Sequence, residues 1–423
     1  MSNQKKQGHD KNYWALALEG ASFMGGISVM ATSGSVALFI NALTGSKALV
    51  GLAVTIQALF QLSGQLFVAP HTRSIRNLPG FLTKTILFQR IIPVLISIPL
   101  FLHFPSNWTI TIFFILFIVF WILDGIVMLP WSEFVARALK PELRGQMMGL
   151  QITFGGIVSL ATGLLLTWLL ATPVLNDDYR YAMVFVLAGV VFLCSGIFLP
   201  MFKDPRPITA PEKQQMGQYY KRVPHVVKSN KVLQNVLFAR IPAYVAFSAA
   251  TFIVVFGAST LNLSDSQISW LVYASILGNL VGGVLLGEIS KRVGSKAIIM
   301  LCDIGVLIAL TMAISLVIFP SLGYLWLFIT CALANMMQSN WLGYHTYFID
   351  IAPERERSVF QVVGNCIGIP FSFVGYALGA VIDRWGFVVA FTIGIIAAVS
   401  AALLCLRLLS KEKVRELIEQ REQ

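Results

Sequence analysis

Residues 113–131 read FFILFIVFWILDGIVMLPW, and the reading of this stretch decides the fold. It is close to the length of about 20 apolar residues that a helix needs to cross the hydrocarbon of a bilayer. It is hydrocarbon throughout except for one carboxyl, Asp124. An acid at that depth is costly, and such groups face a bundle interior or a water-filled cavity. What surrounds the helix therefore determines what Asp124 can do.

The rest of the chain repeats the pattern. Hydrophobic residues make up 57% of the 423, and charged residues only 12%. Soluble domains carry about 25% charged residues, so this composition excludes a water-covered globule and points to lipid as the solvent. Twelve apolar runs are expected as spans: 13–43, 47–68, 84–104, 109–137, 145–171, 180–202, 235–261, 266–288, 296–319, 322–349, 358–382 and 385–409. Runs of this length are helices, because only there does the backbone satisfy its own polar groups. The first follows Lys5, Lys6 and Lys11 as a signal peptide would. Its apolar length is about twice that of a signal's core, so it reads as a retained span.

The net charge of +11 lies in short segments between the runs and not on one surface, which argues against nucleic acid as a partner. Of the 31 Lys and Arg, only Lys47, Arg180 and Arg384 fall on one side of the expected topology. That asymmetry places both termini in the cytoplasm, and the cell membrane is the expected location. Residues 203–234 are the longest polar segment, with Pro205, Pro207, Pro211 and Pro224 and a basic excess. They divide the chain into a six-helix bundle (1–202), a linker and a second bundle with a short tail (235–423). Cys194, Cys302, Cys331, Cys366 and Cys405 sit in apolar runs without pairing patterns, so neither disulfides nor a metal site is expected.

LKPELRG (139–145), after span 4, has an echo in IAPERER (351–357), after span 10. Two copies of a six-helix unit suggest a transporter made of structural repeats, with its site near the midplane. Between spans 8 and 9 the chain reads GEISKRVGSK, 287–296. This resembles the loop signature of the major facilitator superfamily, roughly G-x-L-x-D-R-x-G-R-K. Gly287, Ile289, Arg292, Gly294 and Lys296 match, while Lys291 stands where the family has Asp. The resemblance implies an all-α membrane fold of two pseudo-symmetric bundles, with spans 1, 4, 7 and 10 lining a central cavity. The loop would act as a cytoplasmic latch.

On those spans the polar residues are few. Asp124 lies roughly 22 Å from the outer end of span 4 at about 1.5 Å per residue. It is either a cavity group for protons or a cationic substrate, or a neutral hydrogen-bonded structural acid. Glu19, in span 1, is either a proton carrier or the partner of a cation at similar depth, Arg90 or Arg240. His345 is the histidine suited to proton work. Tyr244, Ser248 and Thr251 on span 7 and Asn335, Gln338 and Ser339 on span 10, with Trp341, are substrate-cavity candidates or polar glue between helices. Asn335, Gln338, Ser339 and His345 would share one face of a continuous helix. Gln57, Gln61 and Gln65 form a stripe on span 2 that favours packing. Arg90 and Asp303, on spans 3 and 9, read as structural. Gly364, Gly368, Gly375 and Gly379 around Pro370 suit either a bending element or close helix approach.

No nucleotide-binding loop or metal-binding helix motif is present, and neither an enzyme nor a cofactor is expected. The sequence leads to a secondary transporter of a small organic solute. It is expected to be proton-coupled and monomeric, leaning toward export of amphipathic compounds. A cation-coupled sugar symporter is the alternative, sodium being the other coupling ion. A non-transporting sensor or assembly protein on the same scaffold is the reading from another class.

Overall fold

The structure, a computed structural model, describes residues 2–69, 71–72, 75–139, 141–172, 176–204, 224–352, 360, 363–364, 367–410, 412–414 and 416. Among these residues there are helices and no strand. The repeated break at 353–357, most of the linker, Asn365 and Cys366 lie outside them.

The first half contains α1 (Ser2–Val29), α2 (Ser35–Thr44), α3 (Lys47–Val68), α4 (Leu78–Phe101), α5 (Ser106–Ala138), α6 (Pro141–Ala171) and α7 (Asp177–Cys194). The second half contains α8 (Lys231–Ala250), α9 (Ile253–Thr260), α10 (Asp265–Val293), α11 (Ser295–Ile318), α12 (Gly323–Met337) and α13 (Asn340–Ile351). It ends with α14 (Gly368–Phe371), α15 (Val374–Trp385) and α16 (Phe387–Cys405). Among the described residues, ten segments are long and apolar enough to cross a membrane. The two further expected spans, the first and the eleventh, are present as interrupted helices.

Asparagine side chains start three of these helices. Asn77, Asn176 and Asn230 each accept a hydrogen bond from the backbone N–H three residues on, satisfying a donor the helix cannot. Gly294, between α10 and α11, has φ +86°, a left-handed conformation that explains a glycine at that turn of the loop signature.

Besides span 6, which continues past Cys194 as 3-10 turns (Ser195–Ile197 and Leu199–Met201), four expected spans are not continuous. Span 1 breaks at residues 30–34, span 7 at Thr251 and Phe252, and span 10 at Gln338 and Ser339. Span 11 bends at Ser372 and Phe373. Hydroxyl and amide side chains at these places compete for backbone groups: the Thr251 hydroxyl donates to the Ser248 carbonyl at 2.7 Å and the Ser372 hydroxyl to that of Ile369 at 2.7 Å.

Packing divides the chain into two compact units, Met1–Ala31 with Leu59–Met216, and Thr32–Ala58 with Gly217–Gln423. Residues 32–58 thus group with the second unit, where the sequence placed them in the first bundle. Glycines permit part of this contact. A Cβ on Gly51 would fall on the Gly375 carbonyl, and one on Gly379 on the Lys47 carbonyl, so α3 and α15 meet backbone to backbone. The Asp383 carboxylate closes the contact, accepting from the backbone N–H of Lys47 at 2.9 Å and of Ala48 at 2.8 Å, and from the Ser46 hydroxyl at 3.1 Å.

Candidate functional site

The first unit buries a cluster of three charged side chains. α1 brings Glu19, α4 brings Arg90 and α5 brings Asp124, none more than 8% exposed. An Arg90 guanidinium nitrogen (Nη2) donates to Glu19 Oε1 at 3.0 Å. Arg90 was the first of the two partners expected for Glu19. Its charge also lies over the faces of Phe23 and Phe192, with ring centres 4.4 and 5.0 Å away. Such contacts favour a desolvated cation. The Trp131 side chain hydrogen-bonds Glu19, and Asp124 lies within electrostatic reach of both members of the pair. Arg90 Nε and Nη1 are buried without a partner among the described residues, so the cluster keeps donors to offer.

Asp124 is held by amides. Gln61 Nε2 donates to Oδ2 at 2.7 Å, and Gln89 Nε2 donates to Oδ1 at 3.0 Å. The first comes from the glutamine stripe of α3, whose other members are engaged elsewhere. Gln57 Oε1 accepts from the Thr32 hydroxyl at 2.8 Å, and Gln65 Nε2 lies 3.0 Å from the Met128 sulfur. Gln61 reaches Asp124 because α3 and α5 cross on glycines. A Cβ on Gly64 would meet the Ile122 carbonyl, and one on Gly125 the Gln61 carbonyl.

The second unit gathers its polar groups where helices are interrupted. Ser33, in the break of span 1, donates to Asn335 Oδ1 at 3.0 Å, while Asn335 Nδ2 donates to the Cys331 carbonyl at 3.0 Å. Gln338, at the break of span 10, donates to the Phe247 carbonyl of α8 at 3.4 Å. Ser339 and Thr251 are buried beside these breaks, and Ser248 is half-buried. Interrupted helices that offer side-chain and free backbone groups are how secondary transporters form solute and ion sites.

The break in span 10 corrects one expectation. It ends the regular helix on which Asn335 and His345 would share a face: α12 carries Asn335, whereas α13 carries His345. His345 is exposed, 6.4 Å ring to ring from Trp341, which is also exposed. Tyr244 stacks on Phe371 at 6.5 Å, and the Arg240 guanidinium lies over the Tyr244, Tyr344 and Phe348 rings. Arg240 also donates to the Gly364 carbonyl at 2.8 Å. In the loop motif, Lys296 donates to the carbonyls of Leu406 and Leu408 at 3.1 and 2.7 Å, at the C-terminal end of α16. Gly287 lies in α10 with Arg292, whose side chain is outside the description.

Sequence reading treated Arg90 as structural, ranked Asp303 with it and passed over Gln89. The pair Gln89-Arg90 within TILFQRIIPVL was the available signal, since adjacent polar residues in an apolar span require partners on other helices.

Residues 236–423 match the family profile described as Major Facilitator Superfamily. No curated protein matches the chain. Among solved structures, a D-xylose-proton symporter superposes with a TM-score of 0.70 at 14% identity, covering 95% of this chain and 98% of that one. The xylose transporter XylE from E. coli, in a partially occluded inward-open conformation, gives 0.68 at 13% identity, with 94% and 99% coverage. The nucleoside transporter NupG gives 0.67 at 9%, with 96% and 99%. The chain is a multi-pass membrane protein with the fold of these transporters. Its second half matches the model of the major facilitator superfamily, and nearly its whole length shares the fold of these transporters.

Proposed function

We propose that this protein moves a small organic solute across the cell membrane by alternating access, coupled to protons through the cluster of Glu19, Arg90 and Asp124. One observation carries the reading. The cluster sets two carboxyls against one guanidinium in a desolvated place, so a single shared proton makes it neutral. Gaining and losing that proton changes which hydrogen bonds Arg90, Gln61 and Gln89 can make, and so ties protonation to helix packing. The polar groups at the breaks of spans 1, 7 and 10, with Tyr244 and Trp341, supply solute contacts. Amides and aromatic faces there suit amphipathic organic compounds, and export is the preferred direction.

A sugar taken up with a cation is the second reading, favoured by the amides of Asn335 and Gln338 at the broken helix. Purified protein in proteoliposomes, screened with drug-like cations and with sugars under imposed pH or sodium gradients, decides between them. Flux driven by a pH gradient supports the proposal. Flux that follows sodium alone favours the second reading. If no compound moves under any gradient, a sensor or assembly role takes their place.

A further inference from the structure

The strongest anomaly in the second unit is Asp303 in α11. Its side chain has no exposed surface, and among the described residues neither oxygen has a hydrogen-bond partner. Asp124, by contrast, has a donor on each oxygen. The elements packed on α11 supply few candidates to hold Asp303. α13 brings Tyr344, whose own hydroxyl is buried and, among the described residues, without a partner. α8 brings Arg240, which lies 5.1 Å from the Tyr344 ring centre. Tyr344 is within electrostatic reach of both Asp303 and Arg240. α16 adds the Cys405 thiol and α11 itself that of Cys302. α12 carries Cys331 and no charge, and the charges of α10 are at its two ends.

The sequence repeat gives this arrangement a meaning. Glu19 stands ten residues before the end of α1 at Val29, and Arg240 ten before the end of α8 at Ala250. Arg90 lies in α4, of span 3, and Asp303 in α11, of span 9. The first and third spans of each half thus carry an acid and a base, with the signs exchanged. In the first unit they close into an ion pair at 3.0 Å. In the second, among the described residues, Asp303 forms no ion pair, and the Tyr344 ring lies against Arg240.

We propose that Asp303 is a second proton-carrying carboxyl of this transporter, held as the neutral acid in the state described, with Arg240 as the cation that would receive it when ionised. A carboxylate with neither water nor a donor is unstable in such surroundings, and a carboxylic acid is not. The use of this site in coupled transport rests on the proton-linked reading above, but its protonation does not, and the test is chosen for that reason. The experiment is infrared spectroscopy of the full-length protein in lipid at neutral pH, in the region of the carboxylic-acid carbonyl stretch, with no solute present. Asp303→Asn is expected to lose a component that survives in the Glu19→Gln/Asp124→Asn double variant. Unchanged acid intensity in Asp303→Asn overturns the proposal. If Asp303→Asn does not fold, Asp124→Asn protein carrying aspartate labelled with heavy carbon at its carboxyl replaces it. A label-shifted acid band there supports the proposal, and its absence overturns it. Failure of solute flux with this band present would remove the transport reading and leave the buried acid standing.

Discussion

Glu19 and Arg90 meet at 3.0 Å with side chains only 4% and 3% exposed. Removing one member strands the other: Glu19→Gln leaves a buried guanidinium without its counter-charge, and Arg90→Gln leaves a buried carboxyl. Loss of one partner of such a pair costs about 3–5 kcal/mol, whereas replacing both by neutral groups is far milder. The double variant Glu19→Gln/Arg90→Gln should therefore melt at a higher temperature than either single variant in detergent. A double variant that melts lowest would mean that the pair is worth more than its desolvation costs.

Two glycines of neighbouring helices make opposite predictions. Gly125→Ala places a methyl on the Gln61 carbonyl, so α3 must move from α5 and take the Gln61 amide from Asp124. Overpacking of that kind costs about 1–3 kcal/mol. At Gly149 of α6 a Cβ would meet nothing within 4 Å. There the substitution should stabilise by about 0.5–1 kcal/mol, because a helix interior favours Ala over Gly. Thermal unfolding of both variants checks the contrast, and equal shifts would contradict the close approach of α3 and α5.

Much of this architecture was legible in the sequence, because lipid leaves few options for an apolar chain. Run length gave the spans. The Gly294 turn and the cation of Lys296 at a helix end suit the loop residues present, since a left-handed turn and unpaired carbonyls ask for those types. The interruptions at 30–34, 251–252 and 338–339 were not legible, because apolar composition continues across them and only Thr, Ser and Gln side chains mark the places. Partner choice was also hidden. Whether Glu19 pairs with Arg90 or Arg240 depends on which helices pack together, and both cations sit at similar depth. Asp303 and Asp124 look alike in a string of letters; the difference is that amides from two neighbouring helices reach one and not the other.

Asp383 was not singled out from the sequence, yet its carboxylate caps α3 through the N–H groups of Lys47 and Ala48. Substitution of a capping side chain costs about 0.5–2 kcal/mol, and a negative charge at a helix N-terminus adds to the effect. Asp383→Ala should lower the melting temperature. Because this site is exposed, its charge contribution is screened by salt, and the gap between wild type and Asp383→Asn should shrink as ionic strength rises. A gap that does not change with salt would leave the hydrogen bonds alone as the source.

Asp124→Asn is the sharpest test of the coupling scheme, because it keeps shape and removes the titrating group. The amide still offers an oxygen to Gln61 or Gln89, so folding should survive with a small loss in melting temperature. If Asp124 carries the transported proton, accumulation against a gradient depends on its release and the variant cannot perform it. Exchange of labelled for unlabelled solute needs only the movement of the loaded carrier and should persist. The expected pattern in proteoliposomes is therefore exchange near the wild-type rate with accumulation driven by a pH gradient lost. Should Asp124→Asn accumulate solute as the wild type does, the acid is a packing element held by two amides, and coupling must lie with another carboxyl.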